Sequence, residues 1–245
     1  MNSGIYTAYS GMQAQLDALD ILANNLANVN TTGFKEQNAF FTVLNQSLED
    51  PGKSASLNAV LNRSIQTDAT LNPAAGSLVS TGRDLDIAIE GNGFLVVDTP
   101  HGTRYTRNGS LHRSAQAVLT TSEGSPVRGD SGRPITLGPG TISISAEGSV
   151  SLDGAVIDRL KIVSFDDLST LQKEGNSLFA SRANPIVERK SDAQVRSGYL
   201  EQSNVNAVTS IVRMVELLRH FESIRKSVDL IMNDINPKAI DKLGR

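Results

Sequence analysis

IYTAYSGMQAQLDALDILANNLANVNTTGFK, residues 5–35, decides how both ends of the chain are read. Its apolar residues fall at Ile5, Tyr9, Met12, Leu16, Leu19, Ala23 and Leu26, at spacings of 4, 3, 4, 3, 4 and 3. That is an a/d heptad seam sustained for about three heptads. A straight helix of about 26 residues would run about 39 Å. The only charged side chains before Lys35 are Asp17 and Asp20. The other polar positions, among them Ser10, Gln13, Asn24 and Asn28, are uncharged. A solvated helix face ordinarily carries Lys and Glu. A polar but uncharged face can instead pack against copies of itself without desolvating ions. Asn24 and Asn28 are one helical turn apart with Asn25 beside them. Their amides either bond between stacked copies or cap and fray the helix end. Thr31-Thr32-Gly33 then supplies a turn, with Gly33 the residue suited to positive φ. Phe34 follows as an anchor, either to a neighbouring copy or to its own chain.

The far end repeats the pattern. Ser203-Asn204-Val205-Asn206 offers N-cap chemistry. Beyond it Met214, Leu217, Phe221, Ile224, Val228, Ile231 and Ile235 are spaced 3, 4, 3, 4, 3 and 4. Pro237 is expected to break or end that helix nearby. The simplest way to bury two seams of equal period is to pair the chain ends as an antiparallel coiled coil.

Between the ends the period changes. Residues 36–80 are rich in Asn, Ser and Thr, with breaks at Pro51-Gly52 and Pro73. They read as an extended or partly disordered connector, with a short helix around Phe40–Leu48. From Leu85 the period is two. Leu85, Ile87 and Ile89 alternate with Asp86, Ala88 and Glu90. Asp84 and Asp86 read as solvated carboxylates on one strand face. Phe94–Asp98, Thr141–Ser145, Ser149–Asp153, Leu160–Phe165, Leu178–Ser181 and Val195–Leu200 are further strands. Asp153-Gly154 is a two-residue hairpin signal. The fold class is therefore mainly β: an irregular all-β central domain over 81–199, flanked by N- and C-terminal α-helices at 1–35 and 200–245 that pair as a coiled coil.

Composition narrows the function. The chain has 245 residues, with 23 Lys and Arg against 26 Asp and Glu, a net charge of −3. No basic footprint for nucleic acid or an anionic membrane is present. Cysteine is absent and the three histidines lie far apart in sequence. No thiolate chemistry, metal site or cofactor is expected. No apolar run approaches the ~18 residues of a membrane-spanning helix, and no cleaved secretory signal is expected. Arg128-Gly129-Asp130 spells an adhesive tripeptide, but three residues recur by chance.

ANNLANVNTTGFK at 23–35 resembles the N-terminal signature of the bacterial flagellar rod and hook protein family. LDIAIEGNGFLVV at 85–97, YTRNGSL at 105–111 and GYLEQSNVNAV at 198–208 agree with it and keep its order. The resemblance implies a non-enzymatic axial subunit of the flagellar basal body, located in the rod that spans the periplasm. It implies passage through the export apparatus without a cleaved signal, helical assembly with copies of itself and with other rod and hook subunits, and no insertion into the membrane. Subunit contacts are then expected at Met12, Leu19, Asn24, Asn25, Leu26, Asn28, Gly33, Phe34, Ser203, Asn204, Val205, Asn206, Leu217, Phe221 and Ile224. The competing reading is a secreted adhesion or binding module, its β head carried on an oligomerising helical stalk. A carboxylate-based enzyme stands third, and the uncharged seam argues against it.

Overall fold

The structure is a computed structural model that describes residues 2–45, 63–175, 177–182 and 188–243. The chain divides into two compact units. The first comprises Met1–Leu26, Gln37–Thr70 and Ala207–Arg245; the second comprises Ala27–Glu36 and Leu71–Asn206.

The first unit is built on helix α1 (Asn2–Ala27), strands β1 (Gln37–Asn45) and β2 (Arg63–Leu71), and helix α2 (Ala207–Leu243). β1 and β2 form a two-stranded sheet. The short helix expected at Phe40–Leu48 is thus a strand as far as Asn45, and 46–48 lie outside the described residues. Phe40, Phe41, Thr42 and Val43 are strand formers, and nine residues are too few to hold a helix unaided. The helix end expected near Pro237 is also corrected, because α2 continues to Leu243. Proline removes one amide donor from the ladder, and the turns on either side retain theirs. Among the described residues no helix is long and apolar enough to cross a membrane.

The second unit is all β. Its strands are β3 (Leu78–Ser80), β4 (Ile87–Glu90), β5 (Phe94–Thr99), β6 (Gly102–Thr106), β7 (Leu111–Arg113), β8 (Leu119–Thr121), β9 (Ile142–Ile144), β10 (Ser149–Leu152), β11 (Ala155–Arg159), β12 (Ile162–Ser164), β13 (Leu171–Glu174), β14 (Leu178–Ser181), β15 (Arg189–Lys190), β16 (Gln194–Ser197) and β17 (Tyr199–Glu201). A six-stranded sheet runs β13-β14-β6-β5-β12-β15, and a three-stranded one runs β11-β10-β9. β16-β4, β17-β3 and β7-β8 are separate pairs. All these named pairings are antiparallel.

β5 explains the core. Successive side chains of a strand point to opposite faces. Leu95 and Val97 enter a cluster with Ile87, Ile89, Leu111, Leu119 and Val150. Phe94 and Val96 enter a second cluster with Tyr105, Val163 and Phe179. The unbroken run Phe94-Leu95-Val96-Val97 is what a strand covered on both faces needs. The same double coverage corrects the alternation expected around β4. Asp86 and Ala88 are buried along with Ile87 and Ile89, so Asp86 is no solvated carboxylate. Its carboxylate lies 3.2 Å from the Arg83 guanidinium, while Asp84 is exposed. The Asp153-Gly154 hairpin forms as expected between β10 and β11, with φ of 48° and 84° at the two turn residues. Positive φ at both positions gives the turn whose twist matches paired strands.

Candidate functional site

In the first unit α1 does not bury its heptad seam. Tyr9 is 64% and Leu16 42% exposed, Ala23 is exposed, and Met12, Leu19 and Leu26 are half-buried. The buried face is instead Ala14, Ala18, Leu22 and Asn25, spaced 4, 4 and 3 along the helix. The β1–β2 ribbon meets this face. The Thr67 hydroxyl donates to the Ala14 carbonyl at 2.8 Å. The Asn25 amide donates to the Gln37 carbonyl at 2.8 Å and accepts from the Gln37 N–H at 3.0 Å. Two alanines let a strand approach closely, and Asn25 satisfies both backbone groups of one strand residue.

α2 is more open still. Its seam residues Met214, Leu217, Phe221, Ile224 and Val228 are half-buried. Beside them Val208, Ile211, Val212, Val215 and Leu218 are all more than 40% exposed. A groove of about 440 Å³ is lined by Ala18 and Leu22 of α1, Ala39 and Phe41 of β1, and Arg213, Leu217 and His220 of α2. A lone exposed leucine is unremarkable, but a continuous apolar stripe marks an interaction surface.

In the second unit three separated stretches meet at one carboxylate. Glu201 is 1% exposed. Its Oε1 accepts from Lys35 Nζ at 2.7 Å and from the Gly76 N–H at 2.9 Å, and its Oε2 accepts from Arg107 Nε at 3.0 Å. Lys35 also donates to the Ala74 carbonyl, and Arg107 Nη2 donates to the carbonyls of Ile89 and Gly91. Burial, and then the neighbouring Arg107 charge, push the Lys35 pKa below its ordinary value against the pull of Glu201. Backbone and amide bonds extend the junction. The Gly33 N–H donates to the Glu201 carbonyl at 2.8 Å, and the Glu36 N–H to Asn204 Oδ1 at 2.7 Å. Gly33 has φ of +68°, and a Cβ there would stand 2.4 Å from the Arg107 backbone carbon. Only glycine fits both the angle and the approach. Phe34 is buried beneath the Lys173 ammonium, 3.4 Å from the ring centroid. Desolvation pushes the Lys173 pKa down to about 8. The chain therefore enters and leaves this unit at adjacent, tied points.

The residues singled out as contacts separate into two groups. Met12, Leu19, Asn24, Leu26, Leu217, Phe221 and Ile224 are exposed or half-buried in the first unit. Asn25 is fully buried and bonded within its own chain. In the second unit Asn28, Gly33, Phe34 and Val205 are buried, Ser203 and Asn204 half-buried, and Asn206 exposed just before α2. α1 ends at Ala27, so Asn28 lies beyond the helix, and its side chain accepts from the Thr31 hydroxyl. Lys35 and Glu201 have no role in the sequence reading, although each lies inside a quoted stretch, and Arg107, which could mark a contact surface there, is 3% exposed. The signal was a lone charge in each of two ion-poor segments, Lys35 and Glu201. Arg128 of the Arg-Gly-Asp tripeptide pairs with Asp98, which accounts for it within the fold.

The stretches that build these features are also those that match known proteins. Residues 5–35 match the family described as flagella basal body rod protein. Residues 88–152 match the flagellar hook protein FlgE/F/G D1 domain, and 196–229 the flagellar basal body rod FlgEFG protein C-terminal region. The chain is 34% identical to flagellar basal-body rod protein FlgF of Caulobacter vibrioides, over 100% of this chain and 99% of that protein. It is 33% identical to FlgF of Escherichia coli over 94% of each chain. It is 32% identical to flagellar basal-body rod protein FlgG of Bacillus subtilis, over 93% of this chain and 94% of that one. With full-length likeness at this level and all three segments in order, the chain belongs to the flagellar basal-body rod protein family.

Proposed function

We infer that this chain is a structural subunit of the bacterial flagellar basal-body rod and that it assembles through its terminal helices. The observation that carries the reading is the apolar surface its own fold leaves open: Tyr9 and Leu16 on α1, and Val208 to Leu218 on α2. Surface of that kind is stable in water only when another protein covers it. The occupants are the terminal helices of neighbouring axial subunits, copies of this chain included, paired as coiled coils along the a/d seams. The β unit forms the outer layer. The chain reaches the periplasm through the flagellar export apparatus.

Within the family the FlgF-type, proximal position fits best. RLKIV at 159–163, LLRHFE at 217–222 and the likeness to FlgF proteins along the whole chain support it. The FlgG-type, distal position is the alternative. Basal bodies purified from cells lacking the distal-rod protein test the choice. A proximal subunit remains in them; a distal one is lost. Absence of this chain from basal bodies of wild-type cells would overturn the rod assignment itself.

A further inference from the structure

The buried junction of the second unit is not neutral. Lys35 and Arg107 are both about 97% buried as side chains, and one carboxylate, Glu201, lies between them. Their donors are not all used. An ammonium has three N–H groups and a guanidinium five. Lys35 spends two, on Ala74 and Glu201, and Arg107 spends its Nε and Nη2. The two N–H groups of Arg107 Nη1 and the third of Lys35 meet no acceptor among the described residues. Both side chains line a cavity of about 240 Å³. Its other walls include Asn92, Phe94, Ser164, Phe165 and the acidic residue Asp166. The two other carboxylates nearby are already committed. Asp166 pairs with Arg189 at 2.7 Å, and Glu36 accepts from Asn72 at 2.9 Å.

We propose that this cavity is a binding site for a small oxyanion, held by Arg107 Nη1 and Lys35 Nζ. Each N–H of Arg107 Nη1 can donate one charge-assisted bond to a carboxylate or phosphate oxygen. A second negative charge neutralises the excess positive one in a desolvated place, where a lone charge is most costly. It also relieves the mutual repulsion that, with desolvation, holds the Lys35 pKa down. Free phosphate and an acidic side chain of a neighbouring subunit offer the same chemistry. The site itself does not depend on the rod reading; only the second source does.

Thermal melting of the full chain tests it, in phosphate or acetate against chloride at matched ionic strength and pH. Phosphate is expected to raise the melting temperature saturably, by roughly 3–8 °C. Asn92→Asp places a carboxylate of the same shape on the cavity wall, outside the junction. This variant should melt higher than the wild type in chloride and no longer respond to phosphate. Equal melting of the wild type in phosphate and chloride would overturn the site, as would a full phosphate response in Asn92→Asp. Swarming separates the sources. Cells carrying Asn92→Asp swarm poorly if a neighbour's carboxylate fills the site and normally if a free anion does.

Discussion

Glu201 is the residue on which the second unit turns. Removing one partner of a buried ion pair leaves an uncompensated charge and costs about 3–5 kcal/mol. Glu201→Gln keeps the shape and strands two cations, so urea unfolding should show a loss of that order. Stability within 1 kcal/mol of wild type, by the ~1 kcal/mol scale of a single neutral hydrogen bond, would contradict the junction as drawn. Lys173 makes a second prediction. Desolvation lowers its pKa from 10.5 to about 8 in the folded chain. Between those values the unfolded chain holds more protons, so this contribution to stability rises with pH. The melting temperature of the wild type should therefore gain on that of Lys173→Met between about pH 8 and 10. A difference that is flat or falls over that range would contradict the half-buried ammonium over Phe34. Neither feature was legible beforehand, though Lys35, Arg107 and Glu201 all sat in quoted motifs. Pairing across 94 and 166 residues leaves no periodic trace in sequence. Gly33 was legible, because a turn that needs positive φ names its own residue.

At the scale of elements, α1 carries two apolar faces, and sequence pattern selected one of them. The heptad seam stands out because it is built of large residues. The face its own chain uses, Ala14-Ala18-Leu22-Asn25, stands out only once a strand is seen against it. Leu16 and Leu22 separate the two faces with one substitution. Leu22 is 7% exposed and Leu16 42%. Leu22→Ala should cost the isolated subunit about 2–5 kcal/mol, and Leu16→Ala less than about 1 kcal/mol. Helical content followed through urea titration measures both, and equal losses would contradict the assignment of faces. The strands show the same division. β5, the β10–β11 hairpin and β14 were read from runs and turns that carry local chemistry. β1 and β2 were not, since seventeen residues separate them, far more than a hairpin loop, and Pro51-Gly52 marks only a break among them. β16 and β17 were read as one strand, and Gly198, with φ of +79°, divides them.

At the scale of the whole molecule, the chain keeps for itself what a β unit needs and leaves unspent what a filament needs. Among the described residues, buried ion pairs and aromatic pairs are concentrated in the second unit. The exposed seams lie on the terminal helices, where large uncharged side chains face water. Rod assembly accounts for both. The chain has no cysteine, so a single introduced thiol reports one place without background from the rest of the chain. Leu16→Cys places that thiol on the open seam of α1. Maleimide should label it rapidly in the isolated subunit, where this position is 42% exposed. In intact purified basal bodies the same thiol should be protected, because a neighbouring helix covers the seam. Equal labelling in both states would contradict the central claim that this seam is the surface through which the rod is built.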